Sequence, residues 1–516
     1  MMEDHQERQW IGGGGKGRGN GRGNGGPPGY AADDDVATII RRQLGRPARG
    51  VVDVAVWCPH GAPAVVQTRP YLEDGEPFPT AFYLTCPSAG DRLAEAEAAG
   101  GVRRLREEVA GDPDLAAALE WLQEWYRAGR RRLAAPGPHC DDGAVFDAGI
   151  GGPTDVSSAT CLHAYAAALL AALVNAVDTP DPLPHQWAQV LERYGDLWCP
   201  DARCLGGGPR LRRRAAIDVG TNSVRLLVAD LSVATSEAPA APPAPVVRRA
   251  QVTRLGEGLA PGGGLAEGAM ERTRAAVGRY VREARVLGAS AVTVIGTSAT
   301  RAAADGPEFM RQLGEELSVA AGVATGTMEA RLAFFGATMD VPGDVALVDV
   351  GGGSTELVRW GGSDGLCARS LELGCVRDTE RFVHSDPPLP DELRSLRQHA
   401  DSLLEPLAGE FAGAATLVAV GGTATTLAAL SLGLERYNPD AVHHTMLSRE
   451  QVRRQIDRLA SMTPSERAAL PTMQPGRADV IVAGAEILLR VMESMGYGLI
   501  LVSERDLLDG AVAAGG

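Results

Sequence analysis

Two short stretches of the chain end an apolar run in an acidic residue and continue with glycines and hydroxyl residues. Residues 215–229 read AAIDVGTNSVRLLVA, with the acid at Asp218. Residues 346–357 read ALVDVGGGSTEL, with acids at Asp349 and Glu356. Backbone N–H groups and small hydroxyls in such turns suit phosphate oxygens, and carboxylates suit a hard cation such as Mg²⁺. The repeated pattern predicts two facing halves of one phosphate site.

Both stretches have the composition of a β-hairpin, because two apolar runs flank a short turn. In the first stretch, Arg225 interrupts the returning apolar run. Most Gly-Asn-Ser turns are only turns, and an aspartate at the end of a strand commonly caps one. A single copy would therefore favour the ordinary interpretation, and the second copy is what favours a binding site.

The composition of the chain limits its architecture and its partners. With 516 residues, of which 45% are hydrophobic, the chain is long enough for about three domains with buried cores. The formal net charge of −15 argues against a general nucleic-acid-binding protein. It does not argue against a polyanionic substrate, because local arginine clusters and bound cations set the field inside a cleft.

The apolar segments and the cysteines of the chain predict the cellular location of the protein. The N-terminus is rich in glycine and has no apolar segment typical of a signal peptide. The longest apolar run, residues 164–174, is too short to span a bilayer and predicts a buried helix. Six of the eight cysteines precede Leu205, and we expect reduced thiols or metal ligands, not disulfides. We therefore expect a cytoplasmic protein with no membrane partner.

Changes in composition divide the chain into five segments. We expect a disordered Gly/Arg/Asn-rich tail over residues 1–30, for which weak RNA contact is the minor alternative. An α+β domain follows over 31–204, and LGGGPRLRRR at 205–214 is predicted to be a solvated linker. Strands and helices then alternate, which predicts an α/β fold with a first lobe over 215–340 and a second over 341–516.

Smaller elements refine this division. A helix is predicted over 92–109 in the N-terminal domain. Another helix is predicted over 329–338, with Thr327 as its cap. We expect the hairpin at 345–360 to reach the cleft between the two lobes.

Cysteines and histidines recur in the N-terminal domain and could hold a metal ion. Thiolates and imidazoles suit Zn²⁺, but Cys-x-His and Cys-x₄-Cys are not the usual zinc-finger spacings. Buried thiols beside turn histidines are the alternative explanation. The candidate ligands are Cys58, His60, Cys86, Cys161, His163, Cys199 and Cys204.

This domain resembles an uncharacterised bacterial family, the domain of unknown function 501. The resemblance covers most of residues 36–204 and lies in the segments LGRPARG, WCPHGAP, RPYLEDGEPFPT, FYLTCP, CLHAY and LWCPDARC. It implies no activity, so this part of the chain gives no prediction about chemistry.

The residues from 215 onwards resemble the exopolyphosphatase / guanosine pentaphosphate phosphohydrolase (Ppx/GppA) family. Nine motifs occur in the family order: AIDVGTNSVRLLV, TRLGEGL, GTSATRAA, MEARLAFFG, LVDVGGGSTEL, ELGCVR, VGGTATTLAAL, MQPGRADVIVAG and VSERDLLDG. The resemblance implies the two-lobed, ribonuclease H-like fold of the actin, Hsp70 and sugar-kinase superfamily. It also implies hydrolysis of a terminal phosphate of polyphosphate or of guanosine pentaphosphate, with a homodimer as a candidate assembly.

The resemblance also implies a role for each candidate site residue. Glu329 would be the general base that takes a proton from the attacking water, although Met328 stands where the family usually has another glutamate. The metal ligands would be Asp218, Asp349 and Glu356, holding Mg²⁺ or Mn²⁺, with K⁺ as a further candidate cofactor. The predicted phosphate-binding residues are Gly220, Asn222, Ser223, Arg301, Gly352, Gly353, Ser354 and Thr355. A second anion site for distal phosphates is predicted at Gly421, Gly422, Thr423 and Arg477.

Other interpretations stay open from the sequence alone. Glu329 would also be explained as an acid favoured by the dipole at the start of a helix, and His443 and His444 as packing residues. A guanosine pentaphosphate hydrolase needs the same catalytic residues, so the motifs do not separate the two substrates. A kinase would need an acceptor pocket and a larger nucleotide lobe, and a non-catalytic sensor would need no base. We expect an exopolyphosphatase without the extra C-terminal domains of long family members.

Overall fold

The chain divides into two compact units in the computed structural model. The structure describes residues 36–134, 141, 143–176, 183–205, 210–233, 241–260, 262–360, 365–474 and 476–514. The first unit contains the described residues of Met1–Val294 and Glu308–Ala321, and the second those of Ile295–Pro307 and Gly322–Gly516. The tail expected at residues 1–30 lies outside the described residues, as do 206–209 of the expected linker.

The N-terminal part of the first unit combines a small antiparallel sheet with α-helices. The strands, in the order β1-β2-β3, are β1 Val51–Trp57, β2 Pro63–Thr68 and β3 Phe82–Leu84. The helices are α1 Val36–Leu44, α2 Pro87–Ala98, α3 Gly101–Gly111, α4 Pro113–Arg132, α5 Leu162–Asn175 and α6 Leu183–Glu192. The single helix predicted over 92–109 is wrong, because the chain turns between α2 and α3 at Gly100, whose φ of +82° favours glycine.

Helix α5 contains the apolar run that predicted a buried helix, and the structure confirms the prediction. Residues 165–173 are at most 1% exposed. A helix that is apolar on every side must be surrounded by other elements, and α5 packs against the sheet and against α2, α4 and α6. Across the described part of the chain, no helix is both long enough and apolar enough to cross a bilayer.

The remainder of the first unit is built on a five-stranded sheet in the order β6-β5-β4-β7-β8. Its strands are β4 Leu211–Val219, β5 Ser223–Ser232, β6 Ala244–Val252, β7 Val292–Gly296 and β8 Ala320–Val323. The helices along this part of the chain are α7 Glu267–Val286, α8 Ser298–Ala302 and α9 Gly306–Leu317. Strands β4 and β5 pair antiparallel, which confirms the first predicted hairpin.

The arginine run that was expected to be a solvated linker forms the start of β4. Arg213 is 1% exposed and its Nε lies 2.7 Å from Oδ1 of Asp230, which is itself fully buried. The same guanidinium donates to the carbonyls of Leu287, at 2.8 Å, and of Trp57, at 2.9 Å. Because Trp57 belongs to β1, Arg213 joins the N-terminal sheet to the five-stranded sheet within the first unit.

Replacing Arg213 by methionine should destabilise the protein strongly, because Asp230 would stay buried without this counter-charge. We expect a loss of about 3–5 kcal/mol in the free energy of unfolding, measured by chemical denaturation. Arg212→Ala is the matched control, because Arg212 precedes Arg213 on the same strand and is exposed. The control should change stability by less than about 0.5 kcal/mol. Equal small effects of the two substitutions would contradict a stabilising role for the buried pair.

The second unit is built on a six-stranded sheet in the order β11-β10-β9-β12-β14-β13. Its strands are β9 Val345–Val350, β10 Thr355–Trp360, β11 Leu366–Leu371, β12 Thr416–Val420, β13 Met446–Ser448 and β14 Leu499–Val502. Strands β9, β12 and β14 are parallel, whereas β9, β10 and β11 pair antiparallel, which confirms the second predicted hairpin.

Helices surround this sheet. They are α10 Gly326–Thr338, α11 Cys375–Phe382, α12 Pro390–Leu404, α13 Ala408–Phe411, α14 Gly421–Ser431, α15 Pro439–Val442, α16 Arg449–Ala460, α17 Pro464–Ala468, α18 Ile481–Ser494 and α19 Leu507–Ala514. Residues of α12, α14, α16 and α18 share one large apolar core with the sheet, and α10 contributes to a separate cluster.

Helix α10 belongs to the second unit, although the lobe boundary was expected after it, near residue 340. Ala330, Phe334 and Ala337 lie on one face of α10 and pack against β9, β10 and β12. The opposite face of α10 contacts α19. A Cβ at Gly336 would collide there with the backbone of Asp506, the residue directly before α19. This close approach fixes the position of α10, and therefore of any side chain that it carries.

Gly336→Ala should destabilise the second unit, because the added methyl group has no space between α10 and α19. We expect a loss of about 1–3 kcal/mol in the free energy of unfolding. Gly409→Ala is the control, because Gly409 lies in α13 and a Cβ there meets nothing within 4 Å. Thermal unfolding of both variants would test this, and a neutral Gly336→Ala would show that the two helices can separate without cost.

Candidate active site

Two acidic side chains lie next to each other at one edge of the six-stranded sheet. Asp349 on β9 is directly opposite Glu356 on β10, and on its other side it pairs with Val420 at the end of β12. Side chains of opposite residues in neighbouring strands project from the same face. Glu356 Oε1 accepts hydrogen bonds from the hydroxyls of Ser354, at 2.6 Å, and Ser370, at 2.8 Å. The sheet therefore brings two predicted metal ligands together.

The glycine turn between β9 and β10 is held by the start of α11. The N–H groups of Cys375 and Val376 donate to the carbonyls of Gly351 and Gly352, both at 2.9 Å. Within the turn, the N–H of Gly351 donates to the carbonyl of Ser354. Gly352 and Gly353 remain exposed at its tip, as a phosphate-binding turn would require. Ser354 is half-buried, and its hydroxyl is used in orienting Glu356.

The side chains of two threonines that were predicted to contact phosphate are buried. Thr355 is fully buried and its hydroxyl donates to the carbonyl of Leu373 at 2.6 Å. Thr423 is 4% exposed, and its Oγ1 lies against Gly484, where a Cβ would be only 2.6 Å away. Their hydroxyls are inside the protein because both residues lie on the packed faces of their elements.

The start of α14 joins the predicted second anion site to Asp349. Gly421 has a φ of +80°, and a Cβ there would lie 2.5 Å from Asp349 Oδ1. A Cβ at Gly422 would occupy the place of the Arg477 guanidinium, whose Nε donates to Gln474 Oε1 at 2.9 Å. A carboxylate and a guanidinium thus meet at one helix N-terminus, where backbone N–H groups also favour anions.

Glu329, the predicted base, forms an ion pair with Arg301, a predicted phosphate ligand. Arg301 Nη1 lies 2.7 Å from Glu329 Oε2 and 3.1 Å from the carbonyl of Ala324. The side chains of Glu329 and Arg301 are 29% and 38% exposed, so solvent reaches both groups. Glu329 lies in the first turn of α10, but the cap of that helix is Thr325, not Thr327, because Thr325 Oγ1 accepts from the N–H of Met328.

The acidic turn of the first unit contains an arginine partner for its aspartate. Asp218 is 5% exposed, and its Oδ2 accepts from Nε of Arg225 at 3.0 Å and from Nη2 at 2.8 Å. The two residues are directly opposite each other on β4 and β5. A cation was expected to neutralise Asp218, but Arg225 already provides a positive charge at this oxygen.

The turn after Asp218 is closed by its own backbone and by the segment that follows β6. The N–H of Gly220 donates to the carbonyl of Ser223 at 3.0 Å. The N–H groups of Thr253 and Arg254 both donate to the carbonyl of Asn222, at 3.0 and 2.9 Å. The predicted phosphate-binding turn is therefore braced by the TRLG motif, a contact that the sequence did not reveal.

Several polar residues near the predicted groups were missed. Arg225 was visible only as an interruption of an apolar run. Burial raises the pKa of the Cys375 thiol. The charge of Arg477 lowers this pKa, and the charge of Asp349 raises it. Burial likewise raises the pKa of Tyr437, and the charge of its hydrogen-bond partner Glu504 adds to this effect. Neither residue has a spacing pattern by which the sequence alone would have identified it.

The histidine pair at 443 and 444 contacts an aspartate and an arginine. His443 Nε2 and His444 Nε2 lie 3.0 and 3.4 Å from Asp340 Oδ2, and Arg505 Nη1 lies 3.3 Å from the same oxygen. Burial disfavours ionisation of Asp340, but the His443 hydrogen bond and the Arg505 charge outweigh it and lower the pKa of Asp340 to about 2. The N–H of Glu504 donates to His443 Nδ1, so both ring nitrogens of His443 have protein partners.

The seven candidate ligands of the N-terminal domain do not form a single group. His60 Nε2 lies 2.6 Å from the carbonyl of Cys199, which gives this histidine a structural role. Burial, together with the nearby thiols of Cys86 and Cys204, raises the pKa of Cys58 to about 12. The buried thiols at 58, 86, 199 and 204 form no set of three metal-ligand atoms within 4.8 Å of one another among the described residues. Cys161 and His163 lie apart from them, beside Glu97.

Comparison with known proteins agrees with this architecture. The Ppx/GppA phosphatase family matches residues 232–513, and a protein family of unknown function, DUF501, matches residues 54–179. Exopolyphosphatase 2 of Mycobacterium tuberculosis is 38% identical over 314 residues, which are 58% of this chain and 97% of that protein.

Solved structures show the same fold. The crystal structure of the Aquifex aeolicus member of the Ppx/GppA family has a TM-score of 0.53 and 30% identity, covering 59% of this chain and 97% of that one. An exopolyphosphatase from Cytophaga hutchinsonii has a TM-score of 0.51 and 26% identity, covering 58% and 97%. The predicted fold class, an α/β phosphatase region preceded by a separate α+β domain, is confirmed. Because the family match extends over more than half of the sequence, the chain belongs to the Ppx/GppA phosphatase family.

Proposed function

We propose that the protein is an exopolyphosphatase, which removes the terminal phosphate from inorganic polyphosphate. The observation that carries the proposal is the ion pair between Glu329 and Arg301, because a solvent-accessible carboxylate, the predicted base, lies beside a guanidinium that is predicted to bind phosphate. The similarity to a mycobacterial protein named exopolyphosphatase 2 supports the choice of substrate.

In this reaction Glu329 accepts a proton from a water molecule. The water oxygen forms a bond to the terminal phosphorus, and the bond from that phosphorus to its bridging oxygen breaks. The products are orthophosphate and a polyphosphate that is shorter by one unit and keeps the bridging oxygen. Arg301 orients Glu329 through Nη1, and its Nε and Nη2 groups suit the oxygens of an incoming phosphate.

Mg²⁺ or Mn²⁺ is the cofactor that we propose, with K⁺ as a further candidate. When bound, a divalent cation stabilises negative charge on the phosphate oxygens. Asp349 and Glu356 would hold it, since they are directly opposite each other on β9 and β10 and their carboxylates project from the same face of the sheet. Asp218 is the third candidate ligand, although Arg225 already binds one of its oxygens.

The direct test compares two substrates. Release of orthophosphate would be measured from long-chain polyphosphate and from guanosine pentaphosphate, with Mg²⁺ and with a chelator present. We expect faster release from polyphosphate and none with the chelator. Faster release of orthophosphate from guanosine pentaphosphate would identify that compound as the substrate in place of polyphosphate. Binding of either compound without release of orthophosphate would indicate a sensor.

Glu329→Gln should lower kcat by about 100- to 10,000-fold, because an amide cannot take the proton of the attacking water. Affinity for polyphosphate should change little, as measured by equilibrium binding. Glu450→Gln is the matched control, because Glu450 is an exposed acid in the first turn of α16. Loss of binding and turnover together in Glu329→Gln would show that Glu329 serves the structure and not the proton transfer.

Gly421→Ala should reduce both stability and turnover. A left-handed alanine costs about 1–2 kcal/mol, and its Cβ would displace the carboxylate of Asp349, with a fall in kcat of about 100-fold. Gly433→Ala is the control, because Gly433 follows the same helix with a φ of +63° but has open space around it. The control should lose stability and keep kcat. Equal kcat in the two variants would contradict a role for Asp349 at this edge.

A further inference from the structure

Three side chains of types that can bind a metal ion meet in the N-terminal domain, far along the sequence from the phosphatase motifs. They are Glu97 near the end of α2, Cys161 directly before α5, and His163 in its first turn. One ligand atom from each residue lies within 4.8 Å of the other two. His163 Nδ1 is 3.2 Å from Glu97 Oε1 and 3.9 Å from Cys161 Sγ.

The second nitrogen of His163 shows how the ring is oriented. Its Nε2 lies 3.1 Å from the carbonyl oxygen of Gly90, which can only accept a hydrogen bond. A neutral imidazole that donates there has an unprotonated Nδ1, and that lone pair points toward the Glu97 carboxylate. His163 Nδ1 and Glu97 Oε1 are then two acceptors 3.2 Å apart. This contact is unfavourable unless a positive charge lies between or beside the two atoms.

A metal ion would satisfy this arrangement. Histidines that bind metals usually donate their other N–H to a backbone carbonyl or a carboxylate, as His163 does to Gly90. The remaining alternative is an imidazolium that donates to both oxygens. Glu97 also accepts from the N–H of Leu162 at 2.5 Å, so it is held in place at the start of α5 whether or not a metal binds.

We propose that Glu97, Cys161 and His163 bind a zinc ion. Thiolate, imidazole and carboxylate are all ligands that Zn²⁺ takes, and hard cations such as Mg²⁺ avoid sulfur. Three protein ligands leave the fourth position of a tetrahedral site open. The side chains of Glu97 and His163 are 30% and 33% exposed, so water or a small ligand can reach that position.

Other clusters of potential ligands fit a metal less well. In the part of the chain that the structure describes, the other cluster of this kind is Asp340 with His443 and His444, and its shared carboxylate oxygen already has the Arg505 guanidinium beside it. The proposed site contains one carboxylate, one thiol and one imidazole. Within the site, Glu97 and His163 form an ion pair.

Cobalt substitution tests the proposal on the full chain. Co²⁺ bound to a thiolate gives a charge-transfer band in the near ultraviolet, whereas Co²⁺ on the oxygen ligands of the phosphatase region gives none. We expect stoichiometric zinc in the purified protein by elemental analysis. After this zinc has been removed with a chelator, titration with Co²⁺ should produce the band, and addition of Zn²⁺ should abolish it. Absence of the band in the zinc-free wild-type protein would overturn the proposal.

Variants locate the ligands. Cys161→Ser should abolish the band, and His163→Gln or Glu97→Gln should weaken Co²⁺ affinity by about 100-fold or more. Cys86→Ser is the matched control, because Cys86 is a thiol of the same domain that also precedes a helix. A band that survives in Cys161→Ser and disappears in Cys86→Ser would place the metal at the buried cysteines and contradict the proposal.

Circular dichroism would show whether each variant is folded. Should Cys161→Ser be unfolded, Glu97→Gln still decides the question, because it keeps every thiol and changes only one proposed ligand. Unchanged Co²⁺ affinity in a folded Glu97→Gln variant would exclude Glu97 from the site and overturn the three-ligand assignment.

Discussion

At Gly336 and Gly510, helices α10 and α19 approach each other so closely that a side chain on either glycine would collide with the opposite backbone. The geometry of the second unit depends on this contact, because α10 carries Glu329. The other face of α10 is held by Ala330, Phe334 and Ala337 against the sheet. With both faces packed, the helix has little freedom to rotate, so the backbone position of Glu329 is fixed.

The acids of the candidate site are accompanied by arginines. Asp218 pairs with Arg225, and Glu329 pairs with Arg301. The Arg477 guanidinium lies against Gly422. The preceding residue, Gly421, lies against Asp349. An arginine beside a carboxylate balances its charge and, in the function that we propose, would also offer donors to a phosphate. Such arginines would allow a chain with a net charge of −15 to bind the polyanion that we propose as its substrate.

The N-terminal domain has its own sheet, and side-chain contacts join it to the rest of the first unit. Arg213 donates to the carbonyl of Trp57, and the indole of Trp198 donates to the carbonyl of Val286 at 2.9 Å. Arg282 on α7 also pairs with Glu192 on α6. Because these contacts join the N-terminal domain to the rest of the first unit, the domain and the five-stranded sheet should unfold together.

The sequence by itself determined both hairpins, the buried helix α5 and the fold class, because each rests on local apolar periodicity or on motifs with a fixed order. It also predicted site roles for Asp349, Glu356, Gly421 and Arg477, and the second unit brings these residues together at one end of its sheet. Only the tertiary structure decided that Arg213 is buried, that Thr355 faces the core, and that Glu97 joins Cys161 and His163. Burial and pairing between residues distant in the chain depend on how the elements pack, and spacing along the sequence carries no record of that packing.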